Sequence, residues 1–80
     1  MSASLRRDLP ELDLHGLYSS DALHRLELWL FELSQSPEKE ARVIFGGGTG
    51  KLGEIVKKTL TEHPLIEQIV DEGASCLVLL

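Results

Sequence analysis

The chain has 80 residues and a formal net charge of −5, because 13 Asp and Glu residues outnumber 8 Lys and Arg residues. This length corresponds to one domain and leaves no room for an active site enclosed between two lobes, so any site must be an open surface or a shallow groove. The hydrophobic content of 42% excludes a disordered tail. The acidic balance argues against sequence-independent wrapping of nucleic acid, while a local basic patch remains open.

The cysteine content and the N-terminus bear on where the chain works. A single cysteine cannot form an internal disulfide, which indicates a reducing compartment, and we expect the cytoplasm. The N-terminus has no apolar segment typical of a secretory signal, and no apolar run is long enough to span a membrane, so we expect no membrane partner. Residues 1–10 are polar and include Pro10, which predicts a flexible N-terminal arm before a folded domain over residues 11–80.

The first predicted element is a short strand over residues 11–15, where apolar and polar residues alternate. Leu12 and Leu14 share one face of this strand, and we expect them to face the helices. Asp13 and His15 share the other face, and we expect them to point outward at the carboxyl end of the strand.

A helix is predicted next, starting at Ser19–Asp21 with a capping hydroxyl and ending near Gln35, before Pro37. Its predicted core stripe consists of apolar residues at helical spacing: Ala22, Leu23, Leu26, Trp29, Leu30 and Leu33. Leu28 and Phe31 fall on the opposite side of the helix. They suggest self-association, or a contact with another domain or a partner protein; ordinary exposure, or cover by the N-terminal arm, is the alternative.

The second half of the chain predicts a strand over 41–45, a helix from about Lys51 to His63, and strands over 66–71 and 75–80 joined as a hairpin. The order is therefore β-α-β-α-β-β, in which the first two strands are parallel neighbours joined by a right-handed crossover. Two helices are too few to cover both faces of a sheet. We therefore predict a two-layer α/β sandwich, with a mixed four-stranded sheet and two helices on one face.

A glycine-rich run between the second strand and the second helix is the most informative stretch: Gly46, Gly47, Gly48, Thr49 and Gly50. Glycines at a helix N-terminus let backbone N–H groups approach an anion, here with Lys51 beside them; a flexible turn is the alternative. The nucleotide-binding P-loop pattern fails, because Phe45 stands where its first glycine belongs and Leu52 follows Lys51. Two interpretations of the nearby cations stay open: a local basic patch, or an ordinary solvated surface. These cations are Arg42, Lys51, Lys57 and Lys58.

Asp13 and His15 become candidate functional residues because of their expected position beside this loop. An isolated D-x-H pair is usually an ordinary surface feature. The carboxyl ends of neighbouring parallel strands open on one edge of the sheet, however, which would bring the pair beside the glycine run. A carboxylate–imidazole pair next to a phosphate cradle suggests phosphodiester chemistry or recognition.

These two motifs resemble those of the Smr ("small MutS-related") domain family. Leu12–Gly16 reads L-D-L-H-G, residues 46–50 follow the pattern G-x-G-T-G, and His63-Pro64 resembles the end of the family's second helix. The resemblance covers about residues 11–80. It implies the β-α-β-α-β-β fold, nucleic-acid binding with DNA favoured over RNA, and, in some members, DNA or RNA nicking associated with mismatch repair or recombination control.

Carried over by position, the resemblance makes Asp13 and His15 the candidate catalytic residues. The candidate phosphate-binding residues are Gly46, Gly47, Gly48, Thr49, Gly50 and Lys51. We expect no metal held by the protein alone and no tightly bound cofactor, with a divalent cation such as magnesium as the candidate helper. Phe45 stands where the family usually has a histidine. Two functions therefore stay open: a nicking endonuclease, and a catalytically silent module that binds protein or nucleic acid.

Overall fold

A computed structural model describes residues 9–48 and 50–80. Its elements, in chain order, are β1 (Glu11–Asp13), α1 (Ser19–Ser34), β2 (Glu40–Ile44), α2 (Lys51–Glu62), β3 (Gln68–Asp71) and β4 (Ser75–Leu79). Each predicted helix and strand is present, with boundaries shifted by no more than two residues. The predicted N-terminal arm falls largely on residues 1–8, which lie outside the described residues. The carbonyl of Pro10 accepts a hydrogen bond from the Arg42 amide at 2.8 Å, next to the first strand.

The four strands form one mixed sheet in the order β1-β2-β4-β3. β1 pairs with β2 in parallel, and Leu12 lies opposite Val43. β4 is antiparallel to both of its neighbours, β2 and β3. The parallel first pair, the antiparallel hairpin and the two-layer α/β fold predicted from the sequence are therefore confirmed.

One face of the sheet carries the hydrophobic core. Along β2 and β4, buried residues alternate with half-buried ones, so the two helices cover one face and leave the other partly open. The sheet contributes Leu14, Ala41, Val43, Phe45, Cys76 and Val78 to the core, and the helices contribute Ala22, Leu26, Leu30, Leu33, Val56 and Leu60. Leu14 is fully buried while Asp13 and His15 are exposed, which confirms the predicted two faces of the first strand.

The start of α1 differs from its prediction. The N-cap is Tyr18, and no side chain caps the helix. Ser19 and Ser20 lie inside the first turn, so the predicted hydroxyl cap is wrong. The Tyr18 carbonyl accepts the first helical hydrogen bond, from the Ala22 amide at 2.9 Å. A hydroxyl residue one position too late cannot accept from the first free amides in the way that an N-cap side chain does.

The start and end of α2 agree with the sequence. Its N-cap is Gly50, and it ends at Glu62 with His63 as the C-cap. The His63 ring nitrogen Nδ1 accepts a hydrogen bond from the Leu65 amide at 3.1 Å, which fixes the chain after the helix. Within the described residues, neither helix combines the length and apolar character that crossing a bilayer requires.

Candidate functional site

The end of β1 and the glycine run after β2 meet at one edge of the sheet, as the parallel pairing requires. Gly46 lies close to the His15 side chain: a Cβ placed on Gly46 would lie 3.2 Å from the Cβ of His15. Such a separation is tighter than normal side-chain packing, and Gly46 also has a left-handed φ of +80°. A glycine at this position therefore allows the two motifs to lie directly against each other.

An open cleft of about 470 Å³ lies between the two motifs. One wall consists of His15, Gly16, Leu17 and Tyr18, and the other of Phe45, Gly46, Gly47, Gly48, Gly50 and Leu52. Its volume is within the range of small-molecule sites, roughly 300–1,000 Å³. The site is a shallow groove, as the length of the chain predicts.

Asp13 and His15 form a hydrogen-bonded pair beside this cleft. The His15 ring nitrogen Nδ1 lies 2.5 Å from Oδ1 of Asp13, and the His15 amide donates to the same oxygen at 3.1 Å. These two hydrogen bonds hold the pKa of Asp13 below its usual value of 3.8, and the bond to the His15 side chain has the larger effect. An ionised carboxylate only accepts hydrogen bonds, so Nδ1 is the donor of this pair, and whenever the ring is neutral the Nε2 lone pair is left for a ligand or a proton.

The glycine loop is tied to the sheet at its start and to α2 at its end. The amides of Phe45 and Gly46 both donate to the Ala74 carbonyl, at 3.0 and 2.8 Å. Gly50 donates to the Gly47 carbonyl at 3.0 Å, and its left-handed backbone leads into the first turn of α2. The first N–H groups of a helix have no partners within the helix and favour an anion.

The other predicted phosphate-binding residues that the structure describes lie at the open surface of the loop. A Cβ added to Gly47, Gly48 or Gly50 would meet nothing within 4 Å, so these glycines face open space. Lys51 is exposed at the first residue of α2. Thr49 lies outside the described residues.

The side chain of Phe45 is buried in the core, and part of the residue also lines the cleft. It shares the helix-facing side of β2 with Val43, and only 5% of it is exposed. Its ring lies against Gly53 of α2, where a Cβ would be 2.8 Å from Cε1 of the ring. The position at which the resemblance led us to expect a histidine is therefore an apolar contact between the end of β2 and α2.

The predicted basic patch includes cations that are paired with carboxylates, among them Arg42 and Lys57. Arg42 lies on the open face of the sheet, where it donates to Glu11 at 3.2 Å and to Glu72 at 3.0 Å. Lys57 donates to Asp71 at 2.8 Å, and this hydrogen bond is the main cause that lowers the pKa of Asp71. Lys51 and Lys58 are exposed.

Among the residues that the structure describes, the side chains do not form a site that would hold a divalent cation without further ligands. In residues 9–48 and 50–80, no group of three or more His, Cys, Asp or Glu side chains is arranged to hold a metal ion. At the cleft, Oδ1 of Asp13 already accepts two hydrogen bonds from His15.

Two exposed apolar side chains lie on α1. Leu28 and Phe31 are 56% and 67% exposed, in agreement with their predicted position away from the core. They line separate depressions on the two sides of α1, and their partner stays a prediction. Sequence reasoning missed Tyr18, which is 83% exposed on the wall of the cleft. The available signal was an aromatic residue between the first motif and the helix start, where nothing local requires one.

The fold and the paired motifs define an Smr domain. The Smr domain family model matches residues 12–75, and the chain belongs to this family. The Endonuclease MutS2 of Thermomicrobium roseum is 36% identical over 58 residues, which are 72% of this chain and 7% of that protein. The Endonuclease MutS2 of Halalkalibacterium halodurans is 35% identical over 66 residues, 82% of this chain and 8% of that protein. The chain thus spans less than a tenth of either relative.

The fold is shared with a solved structure. The crystal structure of the Smr domain of Thermus thermophilus MutS2 superposes with a TM-score of 0.83 and 25% sequence identity. The match covers 89% of this chain and 96% of that domain.

Proposed function

We propose that the chain is a nucleic-acid-binding domain whose cleft holds a backbone phosphate. The observation that carries this proposal is the close approach of Gly46 to the His15 side chain, which places a carboxylate–imidazole pair beside a glycine loop. Membership of the Smr family and the relatives named Endonuclease MutS2 support it. We favour DNA over RNA on the same basis.

The phosphate is proposed to lie at the start of α2. The residues that would hold it are the loop glycines, the Thr49 hydroxyl and Lys51. The partial positive charge of a helix N-terminus favours an anion there. The open space around Gly47 and Gly48 gives a phosphate access to the backbone.

For cleavage, we propose that His15 is the acid–base group and that Asp13 positions it. Nε2 of His15 would take a proton from a water molecule as the water oxygen forms a bond to phosphorus. The bond from phosphorus to the leaving ester oxygen then breaks, and solvent protonates that oxygen. The hydrogen bond from Nδ1 to Asp13 stabilises the imidazolium that forms.

A second candidate function is a catalytically silent binding module. The observation that favours it is the buried ring of Phe45, because a histidine that acts as a second acid–base group is typically worth about 10²–10⁴ in rate. We therefore expect any nicking to be slow. A role in mismatch repair or recombination control, and a cytoplasmic location, belong to the same proposal.

The experiment is a combined binding and cleavage assay. Purified 80-residue chain is incubated with branched DNA, nicked DNA and structured RNA, with and without Mg²⁺. Binding with slow nicking supports the endonuclease, and binding without nicking supports the silent module. The proposal fails if none of these nucleic acids binds.

A further inference from the structure

Tyr18 is an aromatic side chain on the cleft wall that the proposed function leaves unused. It is 83% exposed, more than Leu28, Phe31 or Val70. Its backbone occupies the N-cap of α1, but its side chain does not cap the helix. Within the described part of the chain, no hydrogen bond or ring contact holds the side chain. Neither core packing nor helix capping accounts for a large aromatic residue here.

The cleft combines this aromatic wall with a polar end. Tyr18 lines the same 470 Å³ space as His15 and the glycines at 46–48 and 50. A nucleotide has the same two parts, a flat base and a phosphate. With the phosphate at the glycine loop, the attached base would lie within the same cleft, where Tyr18 is the exposed aromatic residue of the lining.

Charge alone provides little affinity for a polyanion in this chain. The net charge is −5, and Arg42 and Lys57 are both paired with carboxylates. The electrostatic part of nucleic-acid binding comes from Lys and Arg that neutralise phosphates. Another contribution is therefore needed, and stacking of bases on aromatic side chains provides one without requiring a particular sequence.

We propose that Tyr18 stacks on an unpaired base next to the phosphate at the glycine loop, so that the domain selects single-stranded or gapped nucleic acid over continuous duplex. This inference rests on the proposed function. In a continuous duplex both faces of each base are covered by neighbouring bases, and uncovering one face requires unstacking. At a gap or in a single strand, a face is already accessible.

The experiment measures dissociation constants by fluorescence anisotropy with three labelled probes: a continuous DNA duplex, a gapped duplex, and the same gapped duplex with abasic sites in the gap. The variants are Tyr18→Leu, which removes the ring, and Tyr18→Phe, which keeps it. Phe31→Leu is the matched control, because it removes another exposed ring from α1, outside the cleft. Circular dichroism verifies that each variant is folded.

We expect the wild type to bind the gapped probe more tightly than the other two. Tyr18→Leu weakens binding of the gapped probe by about 5- to 100-fold, the effect typical of one lost stacking partner. Tyr18→Phe and Phe31→Leu leave that affinity within about twofold. The abasic probe, which keeps its phosphates, is insensitive to Tyr18→Leu.

Equal affinity of the wild type for the gapped and abasic probes overturns the inference, and this comparison needs no variant. Unchanged binding of the gapped probe by Tyr18→Leu also overturns it. In both cases the phosphate site of the proposed function stands. A wild type that binds none of the three probes removes the proposed function and this inference together.

Discussion

The ring of Phe45 fills the space that a side chain on Gly53 would need, since a Cβ there would lie 2.8 Å from Cε1 and 2.9 Å from Cδ1. This contact brings the first turns of α2 close to the end of β2. It therefore positions the helix N-terminus beside the cleft. The residue at the motif histidine's position thus supports the geometry of the candidate site through packing.

We predict that Gly53→Ala destabilises the domain, by about 1–3 kcal/mol for overpacking. The sign of the stability change is informative, because replacing glycine by alanine inside a helix otherwise stabilises a protein by roughly 0.5–1 kcal/mol. The free energy of unfolding in urea provides the measurement. The double variant Gly53→Ala/Phe45→Leu should recover part of the loss, since it removes the ring atoms that clash. A Gly53→Ala variant more stable than wild type would show that the contact is loose.

For the catalytic pair, we predict that His15→Ala and Asp13→Asn each abolish nicking and leave binding within about threefold, or ~0.7 kcal/mol. Both side chains are exposed, so neither change removes a core contact. Plasmid nicking and anisotropy measured on the same preparations separate the two effects. Full nicking activity in either variant would locate catalysis elsewhere.

The burial of the Cys76 thiol predicts how the stability of the domain depends on pH. Burial raises the pKa of Cys76 from 9.0 to about 11, so the folded state keeps the proton more firmly than the unfolded state does. The stability that this group contributes is complete below pH 9.0 and is lost as the pH rises through about 11. Iodoacetamide at mildly alkaline pH should label Cys76 in urea and spare it in the native protein.

In the matched Cys76→Ala variant, the free energy of unfolding should fall less steeply over that pH range than in the wild type. Native labelling as fast as labelling in urea would contradict the burial of this thiol. If the free energy of unfolding depended on pH equally in the wild type and in Cys76→Ala, the raised pKa of Cys76 would be contradicted.

Leu28 and Phe31 predict an association through the outer side of α1. Together they would bury about 200 Å² against a partner, or about 5 kcal/mol before the cost of association. The partner can be a second copy of the chain, another domain or another protein, and sedimentation tests the second copy. We expect Leu28→Glu/Phe31→Glu to reduce self-association, and Tyr18→Glu to leave it unchanged. A monomeric wild type, with partner capture unaffected by the double variant, leaves the prediction without support.

Local patterns were sufficient to predict most of the fold. The alternation of Leu12 and Leu14 with polar residues predicted which face of β1 is buried, because that face packs against the helices. The predicted contact between the two motifs followed from parallel pairing of β1 and β2. The burial of Phe45 could have been predicted from the same alternation, because Phe45 lies two residues after the buried Val43 and so shares its side of the sheet.

Other features depend on residues that are distant in sequence. Arg42 is paired with Glu72, 30 positions away, and Lys57 with Asp71, 14 positions away, so no local pattern shows that these charges are neutralised. The helix start at Tyr18 was missed for a different reason. Ser19 and Ser20 suit both an N-cap and a first turn, and the backbone decides between the two.

The central claim is that the glycine loop binds a nucleic-acid phosphate, and the most direct test is the affinity of Gly48→Ala for gapped DNA relative to Gly73→Ala. Both glycines have left-handed φ values, +46° and +94°, and open space around them, but only Gly48 lines the cleft. Both variants therefore place a Cβ on a residue with positive φ, and only one of the two Cβ atoms lies in the cleft. We predict that Gly48→Ala binds at least about fivefold more weakly than Gly73→Ala, the loss of roughly one hydrogen bond to a phosphate. Equal affinity of the two folded variants, at the level of the wild type, would contradict the claim.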